Sequence, residues 1–307
     1  MVLIIGVFGL SGCAAASTDN GKISIVATVF PPFDFARAIA GDKAEVTQLV
    51  RAGSESHSFE PTPDDIKKAS DCDLFLMIGG ESENWAERIN QSENTPKRKT
   101  VILCQSVVML EAGSGEHHDD EAHAHHNHSH NHSHDEHIWT SPLNAIKMSE
   151  AIYKALCEID PNSAKYYEEN FLKLKEQLLN LDSGFKKLGE NSNDKTLVFG
   201  DRFPFLYLAK EYGFSYLAAF PGCAEQTEPD IKTLTHLIEK IKEENVAVVF
   251  YTEFSSRQTA RMLCEETGAK ALLLHSCHNI TKDEKGSGAT YISLMENNLK
   301  NLQIALN

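Results

Sequence analysis

Basic residues are scarce in this chain. Its 29 Lys and Arg stand against 44 Asp and Glu, for a formal net charge of -15 at pH 7. Such an acid excess repels a polyphosphate, so nucleic acid is excluded as a partner. No Cys-x-x-Cys pair occurs among the seven cysteines, which argues against a zinc-finger-type structural site. There is no His-Glu-x-x-His helix, no Gly-x-Ser-x-Gly elbow and no phosphate-binding Gly-rich loop, so no catalytic signature competes for the reading. An enzyme is therefore not expected. Beyond the first residues, no segment is long and apolar enough to cross a membrane. At 307 residues and 41% hydrophobic, the chain has ample material for one large or two medium domains.

What the sequence has in excess is histidine, in one place. Ten of the 14 histidines lie between His117 and His137: His117, His118, His123, His125, His126, His128, His130, His132, His134 and His137. Only Asp, Glu, Asn, Ser and Ala separate them. A stretch so poor in apolar area cannot offset the entropy cost of a fixed fold, so a flexible loop is expected. Neutral imidazoles ligate zinc, copper and nickel, and the interspersed carboxylates attract cations. The tract therefore reads as a set of weak metal sites, although an acidic, soluble linker has the same composition.

The N-terminus carries the short apolar run Val2 to Leu10 and then Ser11-Gly12-Cys13. The run is too short for a span and fits a signal-peptide core over residues 1–12. Leu10-Ser11-Gly12-Cys13 resembles a bacterial lipobox, in which the cysteine thiol takes a diacylglycerol. That makes Cys13 the expected lipidation site and 13–21 a small, polar tether. No Lys or Arg precedes the run, a departure from the usual signal peptide.

Further along, strand and helix patterns alternate. Lys22 to Thr28 is rich in β-branched residues, Pro31-Pro32 opens a helix to Ala40, and Ala44 to Val50 is a second strand. Asp73 to Ile78 is a continuous apolar run, as in a parallel strand buried on both faces, and Thr100 to Cys104 is a fourth strand. Cys72 and Cys104 lie near strand ends, where they can pair or simply pack. Leu143 to about residue 193 reads as helix with a break at Pro161, a connector between two lobes. The same grammar then repeats from residue 194, with strands at Thr196 to Phe199, Phe214 to Ala219, Val246 to Tyr251 and Ala269 to Leu274. The expected class is α/β, with two lobes that each hold a small, mostly parallel sheet flanked by helices. The boundaries are an N-terminal lobe at 22–142 containing the His-rich loop 117–136, a connecting helix at 143–193, and a C-terminal lobe at 194–307.

Four histidines stand where a binding site is expected. His57 follows a strand, His137 ends the tract, and His275 and His278 bracket Cys277 beyond a strand of the second lobe. In α/β sheets the loops beyond strand C-termini line the binding crevice, so ligands drawn from both lobes put a metal between them.

These segments resemble the metal-binding lipoproteins of bacterial zinc and manganese ABC importers, the zinc branch above all. Ile25-Val26-Ala27-Thr28-Val29-Phe30-Pro31-Pro32 with Ala40-Gly41-Asp42 is similar to the family's opening strand and helix. His57-Ser58-Phe59-Glu60-Pro61 resembles its first-ligand motif, and His137-Ile138-Trp139-Thr140-Ser141-Pro142 its second, with a His-rich acidic loop before it. Leu76-Met77-Ile78-Gly79-Gly80, Glu228-Pro229, Glu253 and Tyr291-x-x-x-Met295-x-x-Asn298-Leu299 fit further landmarks. The resemblance implies a periplasmic-binding-protein-like fold of the helical-backbone type. It also implies a monomer, lipid-anchored on the extracytoplasmic face of the cell membrane, that passes its metal to an ABC permease.

Two departures follow from the resemblance. The family's third histidine falls on Arg202, which cannot ligate, and its fourth position, an Asp, lies nearest His275. The expected ligands are thus His57, His137 and His275, with Asp201, Glu228 and His278 in reserve. Cys223 and Cys277 both follow strands of the second lobe, where a disulfide, a thiolate ligand or two free thiols all remain open. Zinc is the expected cargo and manganese, which prefers more carboxylate oxygen, the alternative. Free imidazole chemistry sets capture to weaken below about pH 6. A metal store, an adhesin or a metal-dependent hydrolase would make different use of the same residues.

Overall fold

Parallel strands need helical crossovers, and the chain supplies one after nearly every strand. The computed structural model describes residues 21–92, 98–112, 134–192, 194–220 and 229–306. The first lobe runs β1 (Ile23–Ala27), α1 (Phe30–Ala40), β2 (Ala44–Gln48), α2 (Pro63–Asp71), β3 (Leu74–Met77), α3 (Asn84–Asn90) and β4 (Lys99–Ile102). Its sheet has the order β2-β1-β3-β4, parallel throughout. The apolar run of β3 is buried at every position, as a strand covered on both faces must be. Prolines at the start of α1 and α2 sit where a helix has no use for the N–H group. Thr62 and Asp65 close a reciprocal capping box at the start of α2.

Helices α4 (Pro142–Ile159) and α5 (Ala164–Asn191) follow. The sequence reads this region as one broken connector; the structure folds it into a hairpin. Helix α4 packs back against α5 and α1, with Tyr153 stacked on Phe171 at a centroid distance of 5.0 Å. Helix α5, at 28 residues about 42 Å long, bridges the lobes. Its stripe Phe171, Leu174, Leu178, Leu181, Phe185 and Leu188 recurs at helical spacing and is buried.

The second lobe runs β5 (Thr196–Phe199), α6 (Leu206–Tyr212), β6 (Ser215–Ala218), α7 (Ile231–Glu243), β7 (Val248–Tyr251), α8 (Gln258–Thr267), β8 (Lys270–Leu273), α9 (Lys282–Ser287) and α10 (Tyr291–Leu306). The order β6-β5-β7-β8 repeats that of the first sheet. The terminal helix α10 stays bonded to β8 through Asn301 and docks on α5 and α1. There Tyr291 packs edge-on against Phe35, takes a backbone bond to Asp34 and donates its hydroxyl to the Trp139 carbonyl. One apolar core therefore runs through both lobes, and a smaller one lies between β5, β7, α7 and α8.

The strand order reverses between β1 and β3 and between β5 and β7, and the loops after β2, β5, β7 and β8 line a common cleft. Cys72 and Cys104 are both free thiols, so the pairing open to them in the sequence does not form. Among the described residues no helix is long and apolar enough to cross a membrane. The signal-peptide run, Cys13 and most of the tether lie outside the described residues.

Candidate metal centre

His57 sits in the loop between β2 and α2. That loop is fixed from below by Phe59, whose ring meets Trp85 edge-on at 5.0 Å. His137 lies at the end of the His-rich segment, just before α4. The Asp135 carboxylate accepts from its backbone N–H at 2.8 Å and lies 3.1 Å from its Nδ1. A proton on Nδ1 shared with that carboxylate puts the lone pair on Nε2, the usual tautomer of a metal-binding histidine. Burial alone would raise the Asp135 carboxyl, but His137 and His57 hold it below the ordinary carboxylate range.

His278 comes from the segment after β8. Glu253 fixes this segment by accepting from the Ser276 N–H at 2.8 Å and from its hydroxyl at 2.5 Å. Trp139 Nε1 donates to the Ser276 carbonyl at 2.8 Å, and Phe30 N–H donates to the His278 carbonyl at 3.3 Å. Asn279 uses its whole hydrogen-bonding capacity here. Its amide donates to the Arg51 and Ser54 carbonyls, and its oxygen accepts from Gln48 and Ile280. Although it belongs to the second lobe by sequence, this segment is fastened to the first.

His57, His137 and His278 converge. One ring nitrogen of each lies within 4.8 Å of the other two. Tetrahedral zinc with bonds of about 2.0–2.1 Å spaces its nitrogens about 3.4 Å apart, so the rings need to draw in by at most about 1.5 Å. Burial, His137 and Arg202 push His57 down to about 4. Burial, His57 and His137 push His278 well below the ordinary histidine value. Both rings are therefore neutral at pH 7, and the onset of proton competition moves below the pH 6 expected of free imidazole.

Of the residues expected from sequence, the structure brings His57 and His137 together but not His275. The His275 ring turns away into the second lobe. Its Nδ1 accepts from the Cys277 N–H at 2.9 Å and its Nε2 lies 3.3 Å from Glu284. Both nitrogens are engaged, so neither offers a lone pair to a metal. The physical reason is one residue: Cys277 has φ +59°, a left-handed turn that throws His275 and His278 to opposite sides. His278, a reserve candidate, takes the place instead.

Asp201 lines the cleft, but its carboxylate accepts from Thr252 N–H at 2.9 Å, Thr252 hydroxyl at 2.6 Å and Arg202 N–H at 2.9 Å. Glu228 lies outside the described residues, as does Cys223, while Cys277 is a buried free thiol. Of the tract, His134 and His137 are described, His134 bridged through its backbone to Glu111; His117, His118, His123, His125, His126, His128, His130 and His132 lie outside. Sequence reasoning did not anticipate the supporting roles of Asn279 and Ser276. The polar run Ser276-Cys277-His278-Asn279 directly after a strand was the available signal.

The ZnuA family, described as "Zinc-uptake complex component A periplasmic", matches residues 25–305. The chain belongs to this family. The ZnuA family is a substrate-binding component of transport, not an enzyme. The chain is 32% identical over 305 residues to the high-affinity zinc uptake system protein ZnuA of Bacillus subtilis, covering 99% of this chain and 94% of that one. It is 31% identical over 298 residues to the zinc-binding lipoprotein AdcA of Streptococcus pneumoniae, covering 96% of this chain. It spans only 58% of that relative's length. Among solved structures, the Zn(II)-bound ZnuA-like domain of that AdcA aligns with TM-score 0.78 and 29% identity, covering 93% of this chain and 99% of that one. The metal-dependent lipoprotein YcdH of Bacillus subtilis aligns with TM-score 0.79 and 29% identity at the same coverage. The two-lobed fold is thus that of ZnuA-like metal-binding proteins.

Proposed function

We propose that this chain captures Zn²⁺ in its inter-lobe cleft, outside the cytoplasmic membrane, and delivers it to an ABC permease. The observation that carries the reading is the convergence of three imidazoles, with the rings of His57 and His278 held neutral, on one point between the lobes. Three nitrogens and no carboxylate in the cluster suit zinc better than manganese. The similarity to proteins named for zinc uptake and zinc binding supports the same cargo. Anchoring through Cys13 and a monomeric state belong to this reading, as does collection of metal by the 117–136 loop.

Zinc titration against a competing chelator tests it. The whole chain should show one tight site above a background of weak ones. His57→Ala should lose the tight site. Deletion of Ala122 to His134 should remove weak sites and keep the tight one. Weak sites alone would indicate storage or buffering and contradict the capture role.

A further inference from the structure

Three nitrogen ligands leave one position of a tetrahedral zinc open. Among the described residues no carboxylate joins the cluster. The acids at the cleft hold other groups: Asp135 holds His137, Asp201 holds Thr252 and the Arg202 N–H, Glu253 holds Ser276, and Glu55 accepts from the His57 N–H at 3.4 Å. One strong group at the cleft holds none. Arg202 lines the same cavity as the three histidines. Among the described residues its side chain makes no ion pair or hydrogen bond. The cleft measures about 420 Å³, far more than a bare ion occupies.

A guanidinium is a planar fork of N–H donors matched to a planar oxyanion. A metal cation on neutral imidazoles attracts the same ligand. An oxyanion with one oxygen on the metal and others on the fork satisfies both at once. We propose that the metal's fourth ligand is a small planar oxyanion, of the bicarbonate or carboxylate class, held against Arg202. Cargo would then bind as a cation–anion pair. This rests on the zinc-capture reading and sharpens it: Arg202 becomes the residue that recruits the missing ligand.

The test compares the full chain with Arg202→Gln in buffers free of carboxylates, with and without millimolar bicarbonate or acetate, using chloride as the ionic-strength control. Zinc affinity is measured by chelator competition, and the visible spectrum of the cobalt(II) form reports the metal's ligands directly. In the wild type, bicarbonate or acetate should raise affinity by about tenfold, the scale of one charge-assisted pair, and shift the cobalt bands. Chloride should do neither. Arg202→Gln should still bind one zinc, and should not respond to added oxyanion. A tight wild-type site indifferent to oxyanions in both readouts would overturn the proposal and leave zinc capture standing. So would Arg202→Gln responding like the wild type. A wild type with no tight site would overturn both.

Discussion

His57 and His278 meet edge to face, with ring centroids 4.8 Å apart, although they come from opposite lobes in the sequence. The contact exists because Asn279, one residue further on, is bonded to the carbonyls of Arg51 and Ser54 in the loop that carries His57. All three histidines are thus fastened to the first lobe. The second lobe contributes Asp201, Arg202 and Glu253 to the cleft wall.

That coupling predicts the effect of Asn279→Ala. The variant removes the bonds to the Ser54 carbonyl and the Ile280 N–H, and one of two bonds at the Arg51 carbonyl and at the Gln48 amide, which should cost about 2 kcal/mol or more in urea unfolding. It should also weaken zinc binding, because His278 loses its anchor. Unchanged affinity alongside full destabilisation would show that His278 is placed by Glu253 and Trp139 alone.

The pH dependence of binding follows from the two depressed histidines. His57, at about 4, and His278, well below the ordinary value, stay unprotonated between pH 6 and 5. At most one of three ligands is left to compete with protons, so log affinity should fall by no more than about one per pH unit there. Equilibrium dialysis with labelled zinc measures this slope. A slope near three would mean that all three rings titrate as free imidazole does.

Glu83 gives a stability prediction away from the ligands. It is buried, and burial raises its carboxyl to about 7, against the Gly79 N–H bond that favours the charged form. The folded state then holds a proton that the unfolded chain releases above about 4.5. Stability from this group is present below that pH and is lost as pH rises toward about 7. The loss is on the order of 3 kcal/mol, at about 1.4 kcal/mol per pH unit. Glu83→Gln should therefore raise the melting temperature more at pH 8 than at pH 4.5. An equal shift at both would contradict it.

Much of the fold was legible because single residues announce it. The apolar run Leu74 to Met77 could only be a doubly covered strand, and Pro31, Pro63 and Pro142 mark helix starts. The hairpin of α4 on α5 was not legible, since Pro161 marks a break without giving its angle. Helix α9 was also missed: its six residues carry too little apolar pattern to register, though Thr281 and Glu284 cap it. At the site, His57 and His137 stood out through their flanking motifs. The choice between His275 and His278 turned on a positive φ at Cys277, a conformation that cysteine does not signal. The empty third-histidine position at Arg202 was legible, but its consequence needed the geometry.

The most direct measurement is zinc stoichiometry and affinity, by chelator competition, on His278→Ala and His275→Ala side by side. The account predicts that His278→Ala loses the tight site, by more than the roughly 10–100-fold typical of removing an outer partner of a ligand. It predicts that His275→Ala keeps the site, with reduced stability from the broken Glu284 and Cys277 bonds. Loss of the tight site in His275→Ala and its survival in His278→Ala would contradict the three-histidine centre.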